Sequence, residues 1–138
     1  MRRFFLLPVL AAAVFVSGCA ANCLPLESTA WQFETMQGES GAVVACSQDL
    51  ASSYPEAEVL AVSCRFENGA LWVEVGGESW NGTYRLIDSK GSEIFEVQFS
   101  DGETGYLTNG LTTFADGSQQ GTMNLTKGGR TLNFVPAE

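Results

Sequence analysis

The residues able to carry chemistry are few. Four cysteines (Cys19, Cys23, Cys46 and Cys64) supply the thiols, and histidine is absent. Without imidazole the commonest general base and the commonest metal ligand are missing, so Ser-His-Asp and Cys-His arrangements are excluded. No HExxH, Walker, Gly-x-Gly-x-x-Gly or Cys-x-x-Cys pattern occurs. Carboxylates remain, and the close pairs are Glu56 with Glu58, Glu93 with Glu96, and Asp101 with Glu103. A carboxylate hydrolase needs two such groups across a cleft, one with its pKa raised. These pairs fall in turns or on strand positions expected to face solvent, where Asp and Glu ordinarily sit. A solvated acidic surface is therefore expected. Asp101-Gly102-Glu103 departs from calcium-loop spacing, and neither a metal site nor a cofactor is expected.

Cys19 stands apart from the other cysteines because of what precedes it. Arg2 and Arg3 lead an apolar run from Phe4 to Val16, closed by the small residues Ser17 and Gly18. This is the layout of a secretory signal. The run falls short of the roughly 20 apolar residues that a membrane span requires. A plain signal would want a small residue where Val16 stands.

Val16-Ser17-Gly18-Cys19 instead resembles the lipobox of bacterial lipoproteins: an aliphatic residue, a small one, Gly or Ala, then Cys. The resemblance covers the signal and Cys19 only. It implies that residues 1–18 are removed, that the Cys19 sulfur receives a diacylglycerol, and that the new amino group is acylated as well, commonly with palmitate. One acyl chain binds a membrane marginally, whereas two or more hold stably. In enteric members of that family an Asp after the cysteine retains the protein at the inner membrane. Ala20 in that place implies the outer membrane, and the bilayer becomes the first expected partner.

Cleavage leaves residues 19–138, enough for one domain with a real core. All sixteen Asp and Glu lie in this part, against five Lys and Arg, for a net charge of about −11. Such a surface lacks the basic footprint of a nucleic-acid binder. Residues 19–28 are expected to form the lipidated N-terminus and a tether, with a reach of at most ~35 Å. Residues 29–138 form the domain.

The elements that must position any site read as strands and turns. Trp31 and Phe33 alternate with Gln32 and Glu34. Residues 42–46 form a short apolar strand. Across residues 47–57, Leu50, Tyr54 and Ala57 take helical spacing, with Ser47 as N-cap and Pro55 as terminator. Residues 59–66 and 71–75 flank Asn68-Gly69, a hairpin signal. Further strands are expected at 83–87, 93–99, 106–108, 111–114, 122–126 and 131–135, with Asn109-Gly110 read as another two-residue turn. Short strands at this spacing argue an antiparallel sandwich or barrel. The hairpin order favours an up-and-down, lipocalin-like β-barrel of about eight strands, which would leave no open edge. The strands are too short and too charged for a membrane-spanning barrel.

With Cys19 lipidated, three cysteines face an oxidising compartment. Cys46 and Cys64 bracket the irregular segment, and a disulfide between them is expected, worth about 3 kcal/mol for a loop of this size. Cys23 is then the odd thiol.

Most aromatic residues fit inward strand positions. Trp80, in the turn-rich 77–82 segment at a barrel mouth, reads either as an exposed contact or as a plug of the barrel end, and Tyr84 is the other candidate contact residue.

The expected function is that of a non-catalytic envelope lipoprotein whose barrel binds a protein partner or a small ligand. An eight-stranded interior holds side chains or one small ligand, and the many large inward residues favour a filled interior. As an alternative, the order Trp31, Cys46, Cys64, Trp80 resembles the small β-barrel inhibitors of bacterial metalloproteases. That resemblance implies one disulfide and an N-terminal trunk, here residues 20–28, that enters a protease cleft. A carboxylate hydrolase is the third class.

Overall fold

The computed structural model describes residues 23–138. The expectations for the signal peptide, for Cys19 and for residues 19–22 lie outside the described residues.

Alternating apolar residues drive the chain into ten strands: β1 (Trp31–Gln37), β2 (Val43–Cys46), β3 (Glu58–Val59), β4 (Val62–Glu67), β5 (Ala70–Val75), β6 (Glu78–Asp88), β7 (Glu93–Phe99), β8 (Thr104–Thr113), β9 (Gln119–Lys127) and β10 (Arg130–Pro136). They form one sheet in the order β3-β2-β1-β10-β9-β8-β7-β6-β5-β4. The all-β class and the hairpin meander from β4 to β10 are as expected.

The count and the closure are not. Ten strands replace about eight, and the sheet curls into a half-barrel that does not close. The last strand does return to the first: β10 pairs antiparallel with β1, with Phe33 opposite Phe134. That pairing places the break between β3 and β4. The segment between β2 and β4 is spent on a 3-10 turn (Gln48–Leu50), further turns, and a two-residue strand that runs parallel to β2. β4 follows β3 after only Leu60 and Ala61, and no ladder joins the two edges, so the ring stays open. The short helical segment expected at 47–57 is thus a single 3-10 turn followed by turns; Ser47 occupies its N-cap position without a side-chain cap.

The concave face holds the core. Phe33, Leu71, Val73, Trp80, Val97, Phe99, Leu107, Met123, Leu125, Leu132 and Phe134 are buried there. Edge-to-face aromatic pairs knit it: Phe33 with Phe134 at 6.0 Å and Trp80 with Phe99 at 6.2 Å between ring centres. Such pairs add about 0.5–1.5 kcal/mol each beyond area burial.

The half-barrel has two ends. The upper end carries the turns between β4 and β5, β6 and β7, and β8 and β9. The lower end carries the turns between β5 and β6, β7 and β8, and β9 and β10. Asn68-Gly69 is a turn, as expected. Asn109-Gly110 is not: β8 runs straight through it, and Asn109 pairs with Glu93 on β7 and Met123 on β9.

Candidate functional site

The upper mouth is built around a fully buried polar side chain, Asn109. Residues 23–30 do not trail away as a tether. They lie across the mouth as a strap. Leu26 is buried in the core, and its carbonyl accepts from the Trp31 indole N–H at 3.1 Å. Leu24 packs over Gly121, where a Cβ would stand 2.5 Å from Leu24 Cδ1.

Asn109 is the latch. Its side chain points inward because it alternates with the core residue Leu107 along β8. Fully buried, its Nδ2 donates to the Leu24 carbonyl at 2.7 Å and to Glu93 Oε1 at 2.9 Å. The Cys23 thiol donates to the Asn109 carbonyl at 3.2 Å and lies 3.7 Å from that of Gly91. Gly110 leaves room for Ser92, whose Oγ stands 2.9 Å from where a Cβ would be. The dipeptide that reads as a turn is therefore a strand segment shaped to receive the strap.

Tyr84 holds the other end of the strap. Its hydroxyl donates to Glu27 Oε2 at 2.8 Å, and the same oxygen accepts from the Gly69 N–H at 3.4 Å. The Tyr84 ring is fixed edge-on against Phe66 at 5.7 Å and Phe95 at 5.4 Å. Burial first, then the Glu27 carboxylate, push the phenol above its ordinary value. It remains a donor at neutral pH. Between the strap and Tyr84, Glu93 and Phe95 lies an open depression of about 420 Å³.

Trp80 is not an exposed contact. It is fully buried, because β6 begins at Glu78 and brings Trp80 into register with Val73 of the core. It plugs the lower end. Lys127 Nζ lies 5.5 Å from its ring and the Arg130 guanidinium 5.0 Å, a cation–π arrangement worth about 0.5–2 kcal/mol per pair. Lys127 is itself buried, held by Asp101 at 2.8 Å and Glu103 at 3.7 Å. That pairing holds the Asp101 carboxyl below its ordinary value, the hydrogen bond from Lys127 being the largest cause.

The expected Cys46–Cys64 disulfide is not formed; both are free thiols. Their placement gives the reason. Cys64 is in register with Val73 and packs against the core on the concave face. Cys46 follows the core residue Ala45 along β2 and opposes Thr35, which puts it on the convex face. Thiols directed to opposite faces of a sheet cannot be bridged without backbone movement. Burial pushes the Cys64 thiol up to about 12, so it is not a nucleophile at neutral pH.

The carboxylate pairs do not face one another across a cleft. Glu93 turns inward to Asn109, while Glu96 turns outward to Arg85. Asp101 and Glu103 share Lys127, and Glu56 and Glu58 are exposed beside β3. Among the described residues no group of three or more His, Cys, Asp or Glu is placed to hold a metal ion. Comparison with family models, curated proteins and solved structures gives no match.

Sequence reasoning missed Glu27, placed Glu93 among solvent-facing carboxylates and read Asn109 as a turn residue. A signal for Asn109 was present: an Asn-Gly with apolar residues two positions to either side would also suit a strand.

Proposed function

We propose that this chain is a membrane-anchored envelope lipoprotein, held at the outer membrane through Cys19, whose non-catalytic β-domain meets a protein partner. The observation that carries the reading is Val16-Ser17-Gly18-Cys19, at the end of a charged and apolar leader. The domain's form supports the second half. The interior is packed with large side chains, the strap covers the upper mouth, and Trp80 under Lys127 plugs the lower end. That favours a surface contact over a ligand held inside.

One face suits such a contact. The convex side of β8, β9 and β10 presents Thr108, Thr122, Asn124, Thr131 and Asn133, with Tyr106 53% exposed among them. The charged residues of these strands are Lys127 and Arg130, and both alternate onto the core side with Leu125 and Leu132. In a chain with sixteen acidic residues, this uncharged stretch stands out as a place where a macromolecule can dock without stripping water from charges.

The strap weighs against the protease-inhibitor alternative. Residues 23–28, which would belong to an inhibitory trunk, are engaged by Asn109, Tyr84 and the core.

The test has two arms. Cys19→Ser should release the protein from membranes, and intact mass of the native chain should show acylation on a mature N-terminus at Cys19. Retention of the variant on membranes sinks the lipoprotein reading. A photo-crosslinking residue at Tyr106 should trap a specific protein in native envelopes while one at Glu56 does not; no adduct at Tyr106 sinks the partner reading.

A further inference from the structure

We propose that the upper end of the half-barrel rests on the bilayer, with Phe114, Leu86 and Ile87 entering the headgroup region. The inference rests on the reading of Cys19 as the lipid anchor and adds the orientation of the domain to it.

The strap sets the leash. Cys23 is seated at the carbonyls of Asn109 and Gly91, and Asn109 pins the Leu24 carbonyl. Only the four peptide units from Cys19 to Cys23 remain to span the distance to the membrane, at most about 14 Å when fully extended. The lipid therefore leaves the domain at its upper end, and on a short lead.

The height of that end matches the lead. Beyond Asn109, β8 continues through Gly110 to Thr113 before the turn at Phe114. At about 3.3 Å per residue this raises the hairpin tip roughly 13–16 Å along the strand above the level where Cys23 is seated. When Cys19 sits at the bilayer surface, the β8–β9 tip arrives there too.

The side chains at this end fit the surroundings. Phe114 at the β8–β9 turn is 47% exposed, and Leu86 and Ile87, just before the β6–β7 turn, are 48% and 46% exposed. The opposite turns, at residues 38–42, Gly76-Gly77, Ser100 to Glu103 and Gly128-Gly129, carry no large apolar side chain, and the exposed apolar residue beside them is Val44. Scattered exposed apolar residues are ordinary; three at the end from which the anchor leaves are a contact surface. The charges at this end are Glu27, Glu67, Asp88, Lys90, Asp116 and Glu138. Asp88 and Asp116 accept from the backbone N–H groups of Lys90 and Ser118. That acidic mixture disfavours anionic headgroups and leaves zwitterionic ones as the fitting surface.

The experiment uses the mature lipidated protein in vesicles of zwitterionic phospholipid with brominated acyl chains. Tryptophan reporters are placed by F114W and I87W at the upper end and S100W at the lower end, against the shared background of Trp31, Trp72 and Trp80. The expected result is blue-shifted emission and a loss of intensity on brominated lipid for F114W and I87W, with neither for S100W. If the protein is on the vesicles, intact mass shows the acyl groups, and the upper-end reporters are quenched no more than S100W, the orientation is wrong while the anchor stands. If intact mass shows no acyl group, both readings fall together.

Discussion

Asn109 gives the sharpest test of how this fold is held together. In a two-residue hairpin turn, Asn and Asp are nearly interchangeable, so Asn109→Asp would be mild if the Asn-Gly dipeptide turned the chain. In the strand it is not mild. The amide donates to the Leu24 carbonyl and to Glu93 Oε1 from a fully buried position. Asn109→Ala removes one bond to a neutral acceptor, about 1 kcal/mol, and one to a carboxylate, about 1.5–3 kcal/mol, for a total near 3 kcal/mol. Asn109→Asp removes the same bonds and sets a second carboxylate against Glu93 and the Leu24 carbonyl, raising the loss to about 4 kcal/mol or more. For a domain of this size each kcal/mol moves the melting temperature by about 3–5 °C. The alanine variant should therefore melt roughly 10 °C lower, and the aspartate variant lower still. The strap should loosen first, so amide exchange within residues 24–28 should accelerate more than exchange in β5 or β9. Thermal melts and hydrogen exchange on the mature domain read both effects. An aspartate variant that melts within about 2 °C of the parent, with unchanged exchange in the strap, would refute the latch.

Two further outcomes follow from the same geometry. Tyr84→Phe removes the donor to Glu27 Oε2 and should cost up to about 1 kcal/mol, since that bond is solvent-exposed. The Tyr84 phenol is raised in the folded state, so its contribution is fully present below the ordinary value near 10.0 and is lost as pH rises above it. The stability gap between the parent and Tyr84→Phe should be constant from pH 6 to 9 and shrink above pH 10 in denaturant melts; a gap that holds at pH 11 contradicts the assignment. The second outcome concerns the thiols. Alkylation of the unfolded, unreduced mature chain should modify both Cys46 and Cys64, while the native chain at pH 7.5 should leave Cys64 untouched, because burial holds it up at about 12. A peptide map showing the two cysteines joined would overturn the assignment of their side chains to opposite faces.

The class of the fold was legible because period-2 alternation is a local signal. Phe95, Val97 and Phe99 face the core as their spacing demands, and Phe33 meets Phe134 as a closing contact between the first and last strands. What was not legible depends on partners distant in sequence. Trp80 lies among glycine, serine and asparagine, which locally signal a turn, yet pairing with β5 draws it into the core. The Asn-Gly of β8 carries the signature of a hairpin, but β7 and β9 flank it on both sides, and the buried amide finds its acceptors in Glu93 and in the strap, 16 and 85 residues away. The cysteine pairing failed for a related reason. Sequence shows that both thiols lie on strands; it does not show which face each takes, and a single residue of phase reverses the face.

The strap also alters what the proposed lipid anchor at Cys19 can do. A free tether of ten residues would let the domain turn through most orientations and meet partners up to ~35 Å from the membrane. With Leu26 buried and Leu24 latched to Asn109, the span left between the proposed anchor and the domain shortens to the four peptide units before Cys23. On the proposed anchoring, the convex face of β8 to β10 stands on the side of a domain whose upper end is held toward the bilayer. A partner reaching that face must approach along the membrane surface rather than from directly above it, which points to another membrane-associated protein. Loosening the latch should relax this geometry without detaching the lipid. In Asn109→Ala, crosslinking at Tyr106 in native envelopes should lose its specific adduct even though the protein still fractionates with membranes. If the adduct persists at full yield in a variant whose strap exchanges freely, orientation is not what selects the partner.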